Sequence, residues 1–76
     1  MINLLDELNH YLHQTMAFDG DLTEDSHLGD DLGLDSLDAV DMRLHFEELL
    51  GKEIPESDED KFMGSVKELL AYLHAL

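Results

Sequence analysis

A helical repeat of apolar residues, opened by an Asp-Ser pair and stopped by a glycine, constrains this chain more than any other feature. The pattern runs from about Ser36 to Leu50, and Gly51 supplies the residue type that ends helices in the left-handed conformation. Laid out at about 100° per residue, it has two apolar faces. Ala39, Met42, Phe46, Leu49 and Leu50 fall on one side and are predicted to face a core. Leu37, Val40 and Leu44 fall on nearly the opposite side, among Asp38, Asp41, Glu47 and Glu48. A surface helix needs only one apolar stripe, so the second is a candidate docking face, small and rimmed with charge. Exposed apolar residues are individually ordinary; three together beside one hydroxyl are the feature that asks for a partner.

That hydroxyl is Ser36. It follows Asp30-Asp31-Leu32-Gly33-Leu34-Asp35, a carboxylate-rich loop ending in Gly-Leu-Asp, and precedes Leu37-Asp38. The pattern sets Ser36 at or just inside the helix N-terminus, where unpaired amides and the positive end of the dipole favour an anion. A phosphodiester on Ser36 would be well placed there.

With 76 residues there is room for one domain, 1–76, with one modest core. Nineteen acidic and four basic side chains give a formal net charge of -15, which disfavours nucleic acid and anionic membranes and favours basic protein patches. The 43% hydrophobic content, periodically arranged, argues for folding over disorder. There is no cysteine, so neither a disulfide nor a thiolate metal site is available, and any thiol chemistry must come from a prosthetic group. No apolar run is long enough to span a membrane and no signal peptide is evident, so a cytoplasmic monomer is expected.

The rest of the chain reads as helices. Leu4, Leu5, Leu8, Tyr11 and Leu12 are helically spaced over residues 3–15, with Asn3 as a possible cap. From Met16 to Asp35 the period fades into a long connection, tacked to the core by Leu22, Leu28, Leu32 and Leu34. Ile54-Pro55 turns the chain into a short third helix, roughly Glu56 to Lys61. Ser65 and Glu68 have capping-box spacing and open a last helix carrying Val66, Leu69, Leu70 and Leu73. The prediction is all-α: a four-helix bundle with a long loop between helices one and two and a short third helix.

Other chemistries fit poorly. Ser36 lacks the G-x-S-x-G elbow of a hydrolase nucleophile, and the fold is small for a triad. Asp19, Asp21, Thr23, Asp25, His27 and Asp30 echo a calcium loop, but Glu24 stands where glycine is needed and Asp30 replaces the bidentate glutamate. His10 and His13 could share a metal only with a third ligand that the sequence does not place.

The run D-L-G-L-D-S-L-D-A-V-D, the Glu47-Glu48 pair, Glu53-Ile54-Pro55-Glu56 and a closing helix with Tyr72 resemble acyl carrier proteins, in order of elements and in length the free-standing form. The resemblance implies a carrier without an active site of its own. A phosphopantetheinyl transferase would place 4'-phosphopantetheine from coenzyme A on Ser36, with Asp35 helping to hold the transferase's metal. Leu37, Asp38, Val40, Asp41, Leu44, Glu47 and Glu48 would meet partner enzymes such as acyltransferases or acyl-ligases and ketosynthases. Acyl cargo would travel as a thioester, with Met42 and Phe46 lining a space between helices, although core packing alone accounts for both. Carriers of amino acids use the same serine and remain an alternative. Arg43, at the edge of the inward stripe, departs from the usual apolar residue; its stem is expected to snorkel with the guanidinium outside. His45 near the docking face, His27 in the loop and one extra residue before the last helix also depart. They leave the pathway open between fatty-acid, polyketide and specialised-lipid synthesis.

Overall fold

The computed structural model describes residues 3–15 and 20–76. Among the described residues, four α-helices and one 3₁₀ helix follow in order: α1 (Leu4–Thr15), α2 (Leu28–Leu32), α3 (Ser36–Leu50), the 3₁₀ helix (Glu56–Met63) and α4 (Val66–His74). The all-α bundle expected from the periodicity is what forms. Among the described residues no helix is long and apolar enough to cross a membrane.

Each helix starts and stops where local chemistry tells it to. Asn3 Oδ1 accepts the Asp6 amide at 3.2 Å, capping α1. Ser65 Oγ accepts the Glu68 amide at 3.1 Å, capping α4. Gly51, at φ 66°, ends α3 and gives its N–H to the Glu47 carbonyl. The apolar faces then close on one another. Leu8, Leu12, Leu28, Met42, Phe46, Phe62 and Leu69 are fully buried, and the Phe46 and Phe62 rings lie 6.3 Å apart.

Two details differ from the expectation. The long connection contains a helix of its own, α2, and the third helix is wound as 3₁₀ and extends to Met63. Both follow from tertiary ties. Leu22 offers its N–H to Asn9 Oδ1 at 2.6 Å and takes the Asn9 amide at 3.3 Å, so α1 grips the connection by its backbone. Further on, Leu28 donates to the Gly64 carbonyl at 2.8 Å and Val66 to the Ser26 carbonyl at 2.9 Å. This bridge joins the connection to the start of α4 and fixes the entry to α2. Gly29 then passes so close to the Met63 carbonyl that a Cβ would stand 2.6 Å from its oxygen.

The 3₁₀ helix is held from both sides. Phe62 plugs the core, while Arg43 on α3 binds Glu59 and Tyr72 on α4 donates its hydroxyl to Asp58 Oδ2 at 2.6 Å. Burial, then the Asp58 hydrogen bond, pushes the Tyr72 pKa from 10.0 up to about 12.

Two predictions follow from these ties. Gly29→Ala forces a methyl group onto a backbone oxygen that cannot rotate away; thermal unfolding should show a loss of about 1–3 kcal/mol. The native state favours neutral Tyr72, so its contribution is fully present below about pH 10 and lost as pH rises through about 12. Urea midpoints of Tyr72→Phe should therefore fall less than those of the wild type across that interval.

Candidate functional site

Ser36 is the first residue of α3 and is exposed. The geometry beneath it is set by two turns. Gly33, at φ 68°, closes α2, and the half-buried Leu32 and Leu34 anchor the chain on either side of it. Asp35 then caps α3: its Oδ1 accepts the amides of Leu37 and Asp38, both at 3.0 Å. Asp38 returns the favour, its Oδ2 accepting the Asp35 amide at 3.2 Å. This is a reciprocal capping box built from two aspartates. Ser36 is held on a short, rigid step between helices.

The box also corrects the sequence reading. Two first-turn amides expected to await an anion are already bonded to Asp35. What remains for a group on Ser36 is the end of the helix dipole and open solvent.

The second apolar stripe is on the surface. Leu37 is 72% exposed and Leu44 47%, with Val40 half-buried between them. Asp41 and Glu48 are exposed beside these residues. Burial, chiefly, raises the Tyr11 pKa on the α1 side of α3, and the Asp41 and Asp38 charges push the same way.

Not every rim residue is alike. Glu47 Oε2 accepts the Ile54 amide at 2.8 Å and lies 3.7 Å from Arg43 Nη1. Its carboxylate therefore serves the fold before it can serve a partner. Asp38 is likewise engaged in the cap. Asp41 and Glu48 are the rim carboxylates for which exposure and position agree.

Arg43 reverses the expectation of a guanidinium turned outward. The residue is only 8% exposed; Nε donates to Glu59 Oε2 at 2.7 Å and Nη1 to the Ile54 carbonyl at 2.8 Å. The Glu59 hydrogen bond holds its pKa above the ordinary arginine value. Arginine can do this because its planar fork satisfies a carboxylate and a carbonyl from one position. A sequence signal existed, since the single arginine of the chain sits at the edge of the core stripe, but its acceptors are far along the chain.

His45 lies against Tyr11, ring centroids 4.5 Å apart, and edge-on to Phe46 at 5.2 Å. Its Nε2 is buried with no hydrogen-bond partner among the described residues. Met42 and Phe46 are fully buried core residues. An open cleft of about 710 Å³ lies instead beside the exposed stripe, lined in part by Arg43, Leu44, Glu47, Lys52, Ile54 and Pro55.

The metal readings gain no geometry. Among the described residues, no three His, Asp or Glu side chains converge to hold an ion. Asp19 lies outside the described residues. Within the loop, Thr23, Asp25 and Ser26 bond to one another in a tight turn, and His13 is engaged by the Gly20 carbonyl at 2.6 Å and by Asp21. His27 Nδ1 accepts the Asp30 amide at 3.0 Å and caps α2.

Comparison with known proteins places this geometry. A family model described as the phosphopantetheine attachment site matches residues 13–73. The chain is 42% identical over 52 residues to an acyl carrier protein of Campylobacter hominis, a match covering 68% of this chain and 65% of that protein. It is 40% identical over 52 residues to an acyl carrier protein of Zymomonas mobilis, with the same coverage. The matched stretch thus spans 65% of the length of each of these curated relatives.

Charge reversal should separate the two neighbouring glutamates. Glu47→Lys removes the acceptor of the Ile54 amide and sets a cation against Arg43; it should lower stability by about 1–3 kcal/mol in thermal unfolding. Glu48→Lys touches neither group and should change it by less than about 0.5 kcal/mol.

Proposed function

The chain belongs to the acyl carrier protein family, whose members bear 4'-phosphopantetheine covalently, and we propose that Ser36 is the residue that carries it here. The observation that supports this most directly is the exposed Ser36 hydroxyl at the first position of α3, beside the exposed Leu37. When bound, the group supplies a thiol on which acyl chains ride as thioesters.

The residues around Ser36 divide the work. Gly33 and the Asp35–Asp38 box keep the serine raised and its backbone fixed, so an incoming transferase meets a hydroxyl with little freedom left to lose. Asp35 caps through Oδ1, which leaves Oδ2 as the oxygen to meet a transferase-bound cation. Leu37, Val40 and Leu44 form the apolar centre of a docking face, and Asp41 and Glu48 its outward charges. Asp38 and Glu47 add charge while holding the helix ends.

On this reading the protein is a substrate of other enzymes and not a catalyst. It meets its transferase, then acyltransferases or acyl-ligases, ketosynthases and other acyl-handling enzymes of fatty-acid, polyketide or specialised-lipid synthesis in the cytoplasm, as a single domain. The net charge of -15 draws basic surfaces from a distance and sets their approach, while the small apolar centre gives a contact that is readily released. A carrier that visits several enzymes in turn needs that combination.

Intact mass after incubation with coenzyme A and a broad-specificity phosphopantetheinyl transferase tests the attachment. The wild type should gain one phosphopantetheinyl group and Ser36→Ala none; an unchanged wild-type mass rejects the assignment. For the docking face, Asp41→Lys/Glu48→Lys should slow acylation by a partner enzyme by about tenfold at low salt, the deficit shrinking as salt screens it. Equal rates in that variant would remove the electrostatic argument.

A further inference from the structure

We propose that Arg43 sets the cargo class of this carrier: its guanidinium clamps the 3₁₀ helix onto α3 and keeps the cargo at the surface, favouring short or polar acyl groups over long alkyl chains. This rests on the reading of Ser36 as the attachment residue.

Ser36, Val40, Arg43 and Glu47 recur at helical spacing and share one face of α3. Arg43 is about 10 Å from Ser36 along the helix axis. A chain tethered to Ser36 and laid along this face passes Val40 and then meets the seam between α3 and the 3₁₀ helix. That seam is stitched shut. Both main-chain groups of Ile54 are bonded to α3 side chains, its N–H to Glu47 at 2.8 Å and its carbonyl to Arg43 at 2.8 Å. Arg43 Nε reaches across to Glu59 at 2.7 Å. On the far edge, Tyr72 holds Asp58 at 2.6 Å, with Lys61 over the Tyr72 ring at 5.4 Å.

Beneath these ties Met42, Ile54, Phe46 and Phe62 are at most 1% exposed. For an alkyl chain to reach them, the 3₁₀ helix must lift from α3. Lifting it breaks the charge-assisted bond from Arg43 Nε to Glu59 while the arginine stem stays pinned in the core, leaving the guanidinium only the Ile54 carbonyl and, 3.7 Å away, the Glu47 carboxylate. With an aliphatic residue at this position, the same opening would expose only a side chain that the incoming alkyl chain covers again. The clamp thus opposes apolar cargo specifically. Outside it, the cleft beside Leu44 is lined by the exposed Lys52, the Glu47 carboxylate and the ring of Pro55, surroundings that suit a short acyl group bearing hydroxyl, amine or keto functions.

The test loads wild type, Arg43→Met and Glu59→Gln with acetyl- and octanoyl-phosphopantetheine from the corresponding coenzyme A thioesters, with loading verified by intact mass. Two quantities are then read: the rate at which hydroxylamine cleaves each thioester, and the Met42 methyl resonance. In the wild type the two thioesters should be cleaved within about twofold of one another, and the Met42 signal should not depend on the cargo. In Arg43→Met, and more weakly in Glu59→Gln, the octanoyl thioester should be cleaved about fivefold more slowly than the acetyl one, with a displaced Met42 signal, because the chain now spends most of its time inside. A general loss of stability alone would not create that dependence on chain length. Octanoyl protection in the wild type overturns the clamp and leaves the carrier reading intact. Variants with no chain-length dependence overturn the role of Arg43. Failure of the wild type to load overturns the carrier reading and this inference with it.

Discussion

The contact between Arg43, Glu59 and Ile54 is the one on which the second half of the chain depends. In a chain with nineteen acidic and four basic side chains, the single arginine is not left outside to offset the surface charge. It is turned inward, where one planar group joins α3, the turn after Gly51 and the 3₁₀ helix. Repulsion among the remaining carboxylates is a standing cost to compactness, and a charge-assisted tie at the seam opposes it where the backbone is least regular. Glu47 completes the arrangement by fixing the other side of the Ile54 peptide.

A second economy operates at the start of α3. Asp35 and Asp38 satisfy each other's backbone amides, so the helix begins without help from any other element. Ser36, placed between them, is the exposed first residue of the helix. The apolar patch that follows, Leu37 and Leu44 above all, is tolerated on the surface because charged residues flank it and keep it small. Stability is thus drawn from one face of α3 and from its ends, and the opposite face stays exposed.

The same helix therefore carries two kinds of carboxylate that look identical in one dimension. Glu47 and Glu48 are adjacent, yet one accepts a buried amide and the other projects into solvent. Changing the pair together would confound loss of folding with loss of docking. The structure separates them: Glu47 is tied to the Ile54 amide, and Glu48, like Asp41, is exposed.

Much was legible in advance, because it follows from local rules. The bounds of α3 from Ser36 to Leu50, the Gly51 stop, the cap at Ser65, the inward set Ala39, Met42 and Phe46, and the exposed Leu37 and Leu44 all stem from periodicity, capping and glycine conformation, which neighbouring residues determine between themselves. What only the tertiary structure decided are the pairings between residues distant along the chain. Asn9 with Leu22, Ser26 with Val66, Gly29 against Met63, and Arg43 with Glu59 and Ile54 join positions that no short window contains. A side chain's period fixes which way it points; whether a guanidinium there meets water or a carboxylate depends on what another helix brings to it.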